Sequence, residues 1–266
     1  MKKLLAVCAL GVMPWLAGTV MAAEAEADKN KLGGFTLSGN LTLTNNYVSR
    51  GMSNTSGGPA LQGTVNVNHD TGFYLGLFGS NININKDNGG ATLELDPSMG
   101  WSKEWENGLG VDLGMIQYFY PKMKSGFDYD YREYYLGGGY KLGNTALKAK
   151  YFYSDAYMGN QAGKDYASSY LDTQLTHELP DVLPFKTTLR GHYGYMFGDL
   201  VKRVANTTPG YRGVSGFSDY SLGVGAEFAA GLGAGIDWVG VDSDGRGLNS
   251  PTNANNRVVM NVSKSF

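Results

Sequence analysis

The segment RVVMNVSKSF, from Arg257 to Phe266, carries the clearest structural pattern of the chain. Val258, Met260 and Val262 are apolar and share the phase of the terminal Phe266, and only Lys264 breaks this alternation. A two-residue period places alternate side chains on opposite faces of an extended strand. One face therefore meets apolar surroundings and the other meets a polar interior, as in the strands of a β-barrel in a lipid bilayer. A terminal aromatic on the apolar face resembles the signal that barrel assembly machinery reads.

The N-terminus predicts a secretory signal peptide. Met1-Lys2-Lys3 is basic, and the residues from Leu4 to Ala17 are almost wholly apolar. Val20-Met21-Ala22 fits a small-x-small cleavage site, and Ala23 or Ala25 would serve as alternative ends. A membrane anchor is disfavoured because the apolar run is short and no stop-transfer charges follow it.

Cleavage after Ala22 divides the chain into a signal peptide (1–22), a periplasmic N-terminal segment (23–34) and a barrel (35–266). The single cysteine, Cys8, leaves with the signal peptide. Disulfides, a thiol nucleophile and cysteine metal sites are then excluded. The formal net charge of the whole chain is -2, without a basic block, which argues against a nucleic-acid partner.

The alternation seen at the C-terminus recurs along the whole mature chain. We count eleven further strands between residues 35 and 241, although the phase of the third, over 73–84, is ambiguous. The predicted fold is an all-β, transmembrane, antiparallel up-and-down barrel of about 12 strands, with 10 or 14 as alternatives. A mean hydropathy of -0.26 does not oppose this, because only alternate residues of a barrel strand face lipid.

Short and long connections alternate between the predicted strands. The short ones are Asp70-Thr71-Gly72, Glu106-Asn107-Gly108, Leu142-Gly143-Asn144, 179–184 and Ala229-Ala230-Gly231, and the long ones are 49–58, 85–90, 121–128, 154–165, 198–216 and 242–256. An up-and-down barrel with short periplasmic turns and longer extracellular loops has this arrangement, with both termini in the periplasm. The longest loop, 198–216, could fold inward or outward.

Aromatic residues concentrate near both ends of the predicted strands, which predicts two belts at the lipid–water boundaries. One belt would contain Phe73, Tyr74, Trp101, Trp105, Tyr140, Phe185 and Phe266, and the other Tyr47, Tyr118, Phe119, Tyr120, Tyr129, Tyr131, Tyr153, Tyr195, Phe197 and Trp238.

A family resemblance rests on a succession of short motifs. Tyr47–Ser53 reads YVSRGMS, Pro59–Gly63 reads PALQG, Gly72–Gly76 reads GFYLG and Lys150–Ser154 reads KYFYS. This succession resembles the TorF family of porin-like bacterial proteins. The resemblance implies an outer-membrane barrel and a passive pore, and it supplies no catalytic residues. The residues of the first loop that carry it are Tyr47, Arg50, Gly51 and Ser53. For Arg50 we favour a structural role, holding the loop through carboxylates.

The inward phase of the predicted strands carries charges of both signs. The candidate pore-lining residues are Glu94, Asp96, Asp112, Glu133, Lys148, Lys150, Asp172, Lys186, Arg190, His192, Asp219, Glu227, Asp237 and Arg257. Basic residues concentrate on the seventh and ninth strands and acids on the fourth strand and the last hairpin, which favours a narrow water-filled pore with a transverse field. The alternative is a salt-bridged plug without conductance, because side chains or loops can close a lumen of this size.

An enzyme is the rival class, since some outer-membrane barrels hydrolyse lipids. That chemistry needs a serine or threonine beside a histidine base. His69 and His177 fall near short turns and His192 shares the lumen phase, so none meets a lipid substrate, and no paired-histidine spacing indicates a metal. We expect no catalytic, metal or cofactor site. The expected partners are outer-membrane lipids and lipopolysaccharide, the assembly machinery and small hydrophilic solutes or ions. A structural or adhesive barrel is the other alternative, and a monomer is the default expectation.

Overall fold

A computed structural model describes residues 31–84, 90–121, 128–159, 164–180, 184–249 and 253–266. In these residues twelve long strands form one closed antiparallel sheet, which confirms the predicted fold class. The strands are β1 (Phe35–Thr44), β2 (Ala60–His69), β3 (Phe73–Ile84), β4 (Ala91–Glu104), β5 (Leu109–Tyr118), β6 (Tyr131–Leu142), β7 (Thr145–Ser154), β8 (Ser168–Glu178), β9 (Lys186–Gly198), β10 (Gly216–Glu227), β11 (Leu232–Val241) and β12 (Arg257–Ser265). The predicted signal peptide and most of segment 23–34 lie outside the described residues.

Each strand pairs with its neighbours in sequence, and β12 pairs with β1 to close the barrel. That closing pair is short, running from Asn261 opposite Thr44 to Ser265 opposite Asn40. The side chain of Asn45 extends it, because its Oδ1 accepts from the Met260 N–H at 2.8 Å. A closed sheet leaves no unpaired strand edge, which the interior of a bilayer requires.

The connections lie at two ends of the barrel, as the sequence predicts. Turns around residues 70–72, 105–108, 143–144 and 228–231 join the strands at one end, which we call the short-turn end, and β8 ends and β9 begins there. The longer connections lie at the other end, which we call the loop end. Both ends of the described chain lie at the short-turn end, where Lys31–Leu32 pairs with the start of β1 and Phe266 bonds to Gly39.

The two faces of the sheet differ in polarity. The outward face is apolar and exposed, and it includes Leu41, Leu75, Leu113, Leu147 and Leu222. The same alternation places Glu94, Asp112, Glu133, Asp219 and Asp237 inside, buried. A continuous apolar band around a closed barrel is suited to lipid contact. The ambiguous β3 is now assigned: Phe73, Leu75 and Leu77 face outward, whereas Tyr74, Phe78 and Ile82 are buried.

In the described part of the chain, two short helices occupy the loop end. Helix α1 (Asp199–Thr207) belongs to the longest loop, and its Val201 packs into the interior hydrophobic cluster. Helix α2 (Ser243–Leu248) begins at Asp242, whose carboxylate accepts from the Gly245 N–H at 2.7 Å. The longest loop, whose direction the sequence left open, therefore packs against the barrel interior through Val201 of α1. Among the described residues, no helix is long and apolar enough to cross a membrane.

Candidate functional site in the barrel interior

The connection between β1 and β2 folds into the barrel as a small hairpin. Val48–Ser49 pairs antiparallel with Met52–Ser53, and Arg50 and Gly51 form the turn. Both turn residues have positive φ, 49° and 74°, which is the signature of a two-residue type I′ hairpin. The sequence predicts this stretch as an ordinary loop, so the lumen hairpin (residues 48–53) is a new feature. It contains most of the motif that carries the family resemblance.

The lumen hairpin is fastened at its base and reaches the far wall. At the base, the Ser53 hydroxyl donates to Asn46 Oδ1 at 2.6 Å, and the Ser53 N–H donates to the Asn253 carbonyl at 2.9 Å. At the tip, a Cβ on Gly51 would overlap side-chain atoms of Val241 and Asp219. Glycine is therefore required at the tip both for its backbone angle and for its close approach to the opposite strands.

Arg50 fixes the tip through a two-pronged ion pair with Glu133 on β6. Its Nη1 and Nη2 lie 2.8 Å and 2.6 Å from Glu133 Oε1 and Oε2, and the Tyr118 hydroxyl donates to Oε2 at 2.9 Å. The guanidinium carbon also lies 4.5 Å, 5.3 Å and 5.5 Å from the ring centres of Tyr170, Tyr157 and Phe152. This arrangement, which we call the Arg50 cage, agrees with the structural role that the sequence favoured for Arg50.

Protonation in the Arg50 cage follows from burial and charge. Burial acts to lower the pKa of Arg50, but the Glu133 carboxylate and the Tyr157 and Tyr118 side chains together outweigh it, so this pKa is raised above its ordinary value. Burial raises the pKa of the Tyr157 phenol. The guanidinium therefore stays charged and the phenol stays neutral at ordinary pH.

A second cluster joins β5 to β7. Lys150 Nζ lies 2.6 Å from Asp112 Oδ2, and the Tyr74 hydroxyl donates to Asp112 Oδ1 at 2.7 Å. The Tyr135 hydroxyl contacts that of Tyr74, and its ring lies 4.5 Å from the Lys150 ammonium. These contacts satisfy both oxygens of a carboxylate that is buried in the wall.

Two further clusters lie on β8 to β11. Arg190 binds Asp237 through two nitrogens, at 3.2 Å and 2.6 Å. His192 lies between two carboxylates, with its Nε2 3.1 Å from Asp172 and its Nδ1 3.5 Å from Asp219. Lys150 and Arg190, two of the predicted basic residues, thus each lie against an acid.

The remaining candidates are distributed along the interior. Glu94 accepts from the Tyr47 hydroxyl of the first loop at 2.5 Å, and Asp96 is buried beside it on β4. Lys186 and Glu227 stand opposite each other at the short-turn end. Arg257 donates to the carbonyls of Asn253 and Asn255 at the loop end. Lys148 stands opposite Gln174 on the inward phase.

Packed side chains occupy much of the loop-end half of the interior. A hydrophobic cluster of Tyr, Phe, Ile and Val side chains occupies it. A cavity of about 20 Å³ remains beside the base of the lumen hairpin, against Thr42, Gln62, Val239 and Asn261. Such a space holds roughly one water molecule.

The predicted aromatic belts need correction. Tyr153 and Trp238 are exposed on the outer face near the loop end, as expected. Tyr47, Tyr74, Tyr118, Tyr120 and Tyr131 are instead buried in the interior. The physical reason is that buried carboxylates need hydroxyl donors, which tyrosine supplies together with packing area.

Several glycines face the barrel interior and belong to the candidate site, although the sequence patterns do not single them out. A Cβ on Gly194 would overlap the Tyr170 side chain, and a Cβ on Gly100 would overlap the Tyr74 hydroxyl. Each glycine therefore leaves room for a tyrosine of the neighbouring strand. The available signal was a glycine on the inward phase of one strand with a tyrosine on the inward phase of the next.

The histidines lie where the sequence placed them. His69 and His177 are at the short-turn end, with Nδ1 2.7 Å from the Thr71 hydroxyl and 2.9 Å from the Thr145 hydroxyl. His192 is inside the barrel. Within the described ranges, no group of three or more His, Asp or Glu side chains could hold a metal ion.

The fold and its interior define a closed twelve-stranded barrel with an apolar exterior and a charged interior. The chain belongs to the family described as "Bacterial protein of unknown function (Gcw_chp)", whose model matches residues 26–266. No curated protein sequence matches it.

Solved structures share the fold at low sequence identity. A NanC porin structure superposes with a TM-score of 0.55 at 9% identity, covering 86% of this chain and 98% of that one. A KdgM porin structure superposes with a TM-score of 0.53 at 8% identity, with the same coverage of 86% and 98%. These likenesses show that the architecture is one that porins use.

Proposed function

We propose that this protein is an outer-membrane, porin-like channel through which small hydrophilic solutes or ions diffuse passively. The observation that carries the proposal is the polarity of the closed barrel. Its outward face is apolar, whereas its inward face holds carboxylates, amines and hydroxyls on nearly every strand. A lumen lined in this way favours polar solutes over lipid. In this proposal the short-turn end and both termini face the periplasm.

Fold likeness supports the proposal. The two solved structures named above are described as porins, and one further solved structure, with a TM-score of 0.52, is described as a KdgM porin in complex with disordered oligogalacturonate. The finer resemblance to the TorF family remains a prediction from the motifs. The proposed partners are outer-membrane lipids and lipopolysaccharide around the barrel, and the assembly machinery at the C-terminal strand.

A non-conducting structural or adhesive barrel is the second candidate, and a specific observation favours it. The Arg50–Glu133 pair spans the lumen, with relative side-chain exposures of only 11% and 2%. If the lumen hairpin never leaves, the barrel conducts little and acts through its loops. The two candidates differ in whether the lumen hairpin can move aside.

Liposome swelling separates the two candidates. Wild-type protein and a variant with residues 48–53 replaced by a Gly-Ser linker are refolded into liposomes and tested with small sugars and salts. Solute entry in the wild type, and faster entry in the variant, is expected of a channel gated by the lumen hairpin. Absence of entry in both proteins, with folding verified, would contradict the channel and leave the structural barrel.

A further inference from the structure

We propose that the Arg50 cage is a cation-binding site of the barrel wall, that Arg50 is its built-in occupant, and that its ligand class is the guanidinium or alkylammonium cation. The inference rests on the proposed channel and deepens it, because it names the class of solute that the lumen would hold. Binding to the wall can be measured without conduction, so the two claims can fail separately.

Four of the five side chains that form the Arg50 cage belong to the barrel wall and not to the lumen hairpin. Tyr118, Glu133, Phe152 and Tyr170 lie on four consecutive strands, β5 to β8. Their positions are set by the strand register and not by the connection that carries Arg50. Withdrawal of the lumen hairpin would therefore leave most of the cage in place and open to the lumen.

The chemistry of the cage selects a flat or compact organic cation. A carboxylate that accepts two parallel N–H bonds fits the fork of a guanidinium group. Aromatic faces at 4.5 Å to 5.5 Å from the cation add attraction that small, strongly hydrated metal ions use less well. The carboxylate and the aromatic faces contact only the charged end of a ligand, so the rest of the ligand can vary.

After removal of the Arg50 side chain, electrostatic attraction favours binding of a diffusible cation in the Arg50 cage. Glu133 is 2% exposed, and a buried carboxylate without a partner is strongly unfavourable. Asp219, on another strand and next to the hairpin tip at Gly51, is 0% exposed and adds negative potential. A diffusible cation of the right shape therefore gains by entering the vacated cage.

The interior also offers a matched control. Arg190 forms a two-pronged pair with Asp237 that resembles the pair of Arg50 with Glu133. Among the described residues, however, no aromatic ring lies over the Arg190 guanidinium. Comparison of the two sites separates the effect of the cage from simple replacement of a missing positive charge.

The test is chemical rescue of Arg50→Ala in detergent with methylguanidinium chloride at about 10 mM, a concentration far below denaturing levels. We expect a saturable rise in the midpoint of heat unfolding, about 4 °C at a tenfold excess over Kd. Potassium chloride at equal ionic strength should give no comparable rise. Wild-type protein, whose cage is filled, and Arg190→Ala should respond less.

Equal responses of Arg50→Ala and Arg190→Ala, or no response beyond that of potassium chloride, would overturn the inference. If Arg50→Ala does not refold alone, refolding that depends on methylguanidinium supports the site, and failure of methylguanidinium to restore it counts against the site. The double variant Arg50→Ala/Glu133→Gln has no unpaired Glu133 carboxylate, so methylguanidinium should no longer raise its unfolding midpoint. A retained response in that variant would also overturn the proposal.

Discussion

Phe266 and Gly39 form the hydrogen-bonded pair that extends the closing seam of the barrel to the last residue. The Gly39 N–H donates to the Phe266 carbonyl at 2.9 Å, and the Phe266 N–H donates to the Gly39 carbonyl at 3.0 Å. A Cβ on Gly39 would overlap the Phe266 ring, so the ring covers the place of the missing side chain. The terminal aromatic thus has a structural use in the folded barrel, beside the assembly role predicted for it.

The first prediction concerns this seam. Gly39→Val should lower stability by about 1–2 kcal/mol, because the new side chain must displace the Phe266 ring. Gly63→Ala is the control, since its Cβ would meet only Leu41 at 3.9 Å. The stability of each variant is measured by heating samples to increasing temperatures and recording the temperature at which the band of folded protein disappears from the gel. Equal behaviour of the two variants would show that the ring does not rely on Gly39.

The second prediction concerns the Asp112–Lys150 pair. Lys150→Met leaves a buried carboxylate without its cation and should cost about 3–5 kcal/mol of unfolding free energy. Asp112→Asn combined with Lys150→Met should cost less than the single change, because no orphan charge remains. Denaturant titration of the refolded barrel in detergent checks this.

An exposed ion pair on the surface provides the comparison for the buried Asp112–Lys150 pair. Lys202 and Asp199 on α1 are 3.4 Å apart, with side chains 56% and 66% exposed. Lys202→Ala should change stability by less than about 0.5 kcal/mol. If Lys150→Met were equally mild, the interior would be more hydrated than the contacts indicate.

The third prediction tests how a glycine accommodates a tyrosine. A side chain at Gly194 would meet Tyr170 and Asp219 side-chain atoms. Gly194→Ala should therefore destabilise the barrel by about 1–3 kcal/mol. The added change Tyr170→Ala should remove part of the clash, so the double variant should lose less than the sum of the two single changes. Strict additivity would argue against the contact.

The fourth prediction concerns selectivity. Neutralising Lys148, Lys150, Lys186 and Arg190 together should shift a conducting pore toward cations, since four positive charges leave the interior. The reversal potential in a salt gradient measures this. The double change Asp112→Asn with Lys150→Met removes one charge of each sign and should leave the potential nearly unchanged. An unchanged potential in the fourfold variant would show that these residues do not line the path.

The barrel could be predicted from the sequence because its signals are local. Alternation from Val258 to Val262 and the glycine-containing turns are visible within a few residues, so the approximate strand number, most strand faces and the two ends of the barrel follow, whereas the faces of β3 do not. The lumen hairpin could not be predicted in this way. Its inward course depends on Glu133 and Val241, which are far from Arg50 in sequence and meet it only after the barrel closes. An Arg-Gly turn is also a weaker hairpin signal than Asn-Gly.

The most direct test of the account is single-channel recording of refolded protein in a planar bilayer, with the wild type beside the variant that replaces residues 48–53 by a Gly-Ser linker. The account predicts discrete conductance steps that are larger or longer-lived in the variant, because the Arg50–Glu133 pair no longer bars the lumen. Silence of both proteins, with folding verified in the same samples, would contradict the channel.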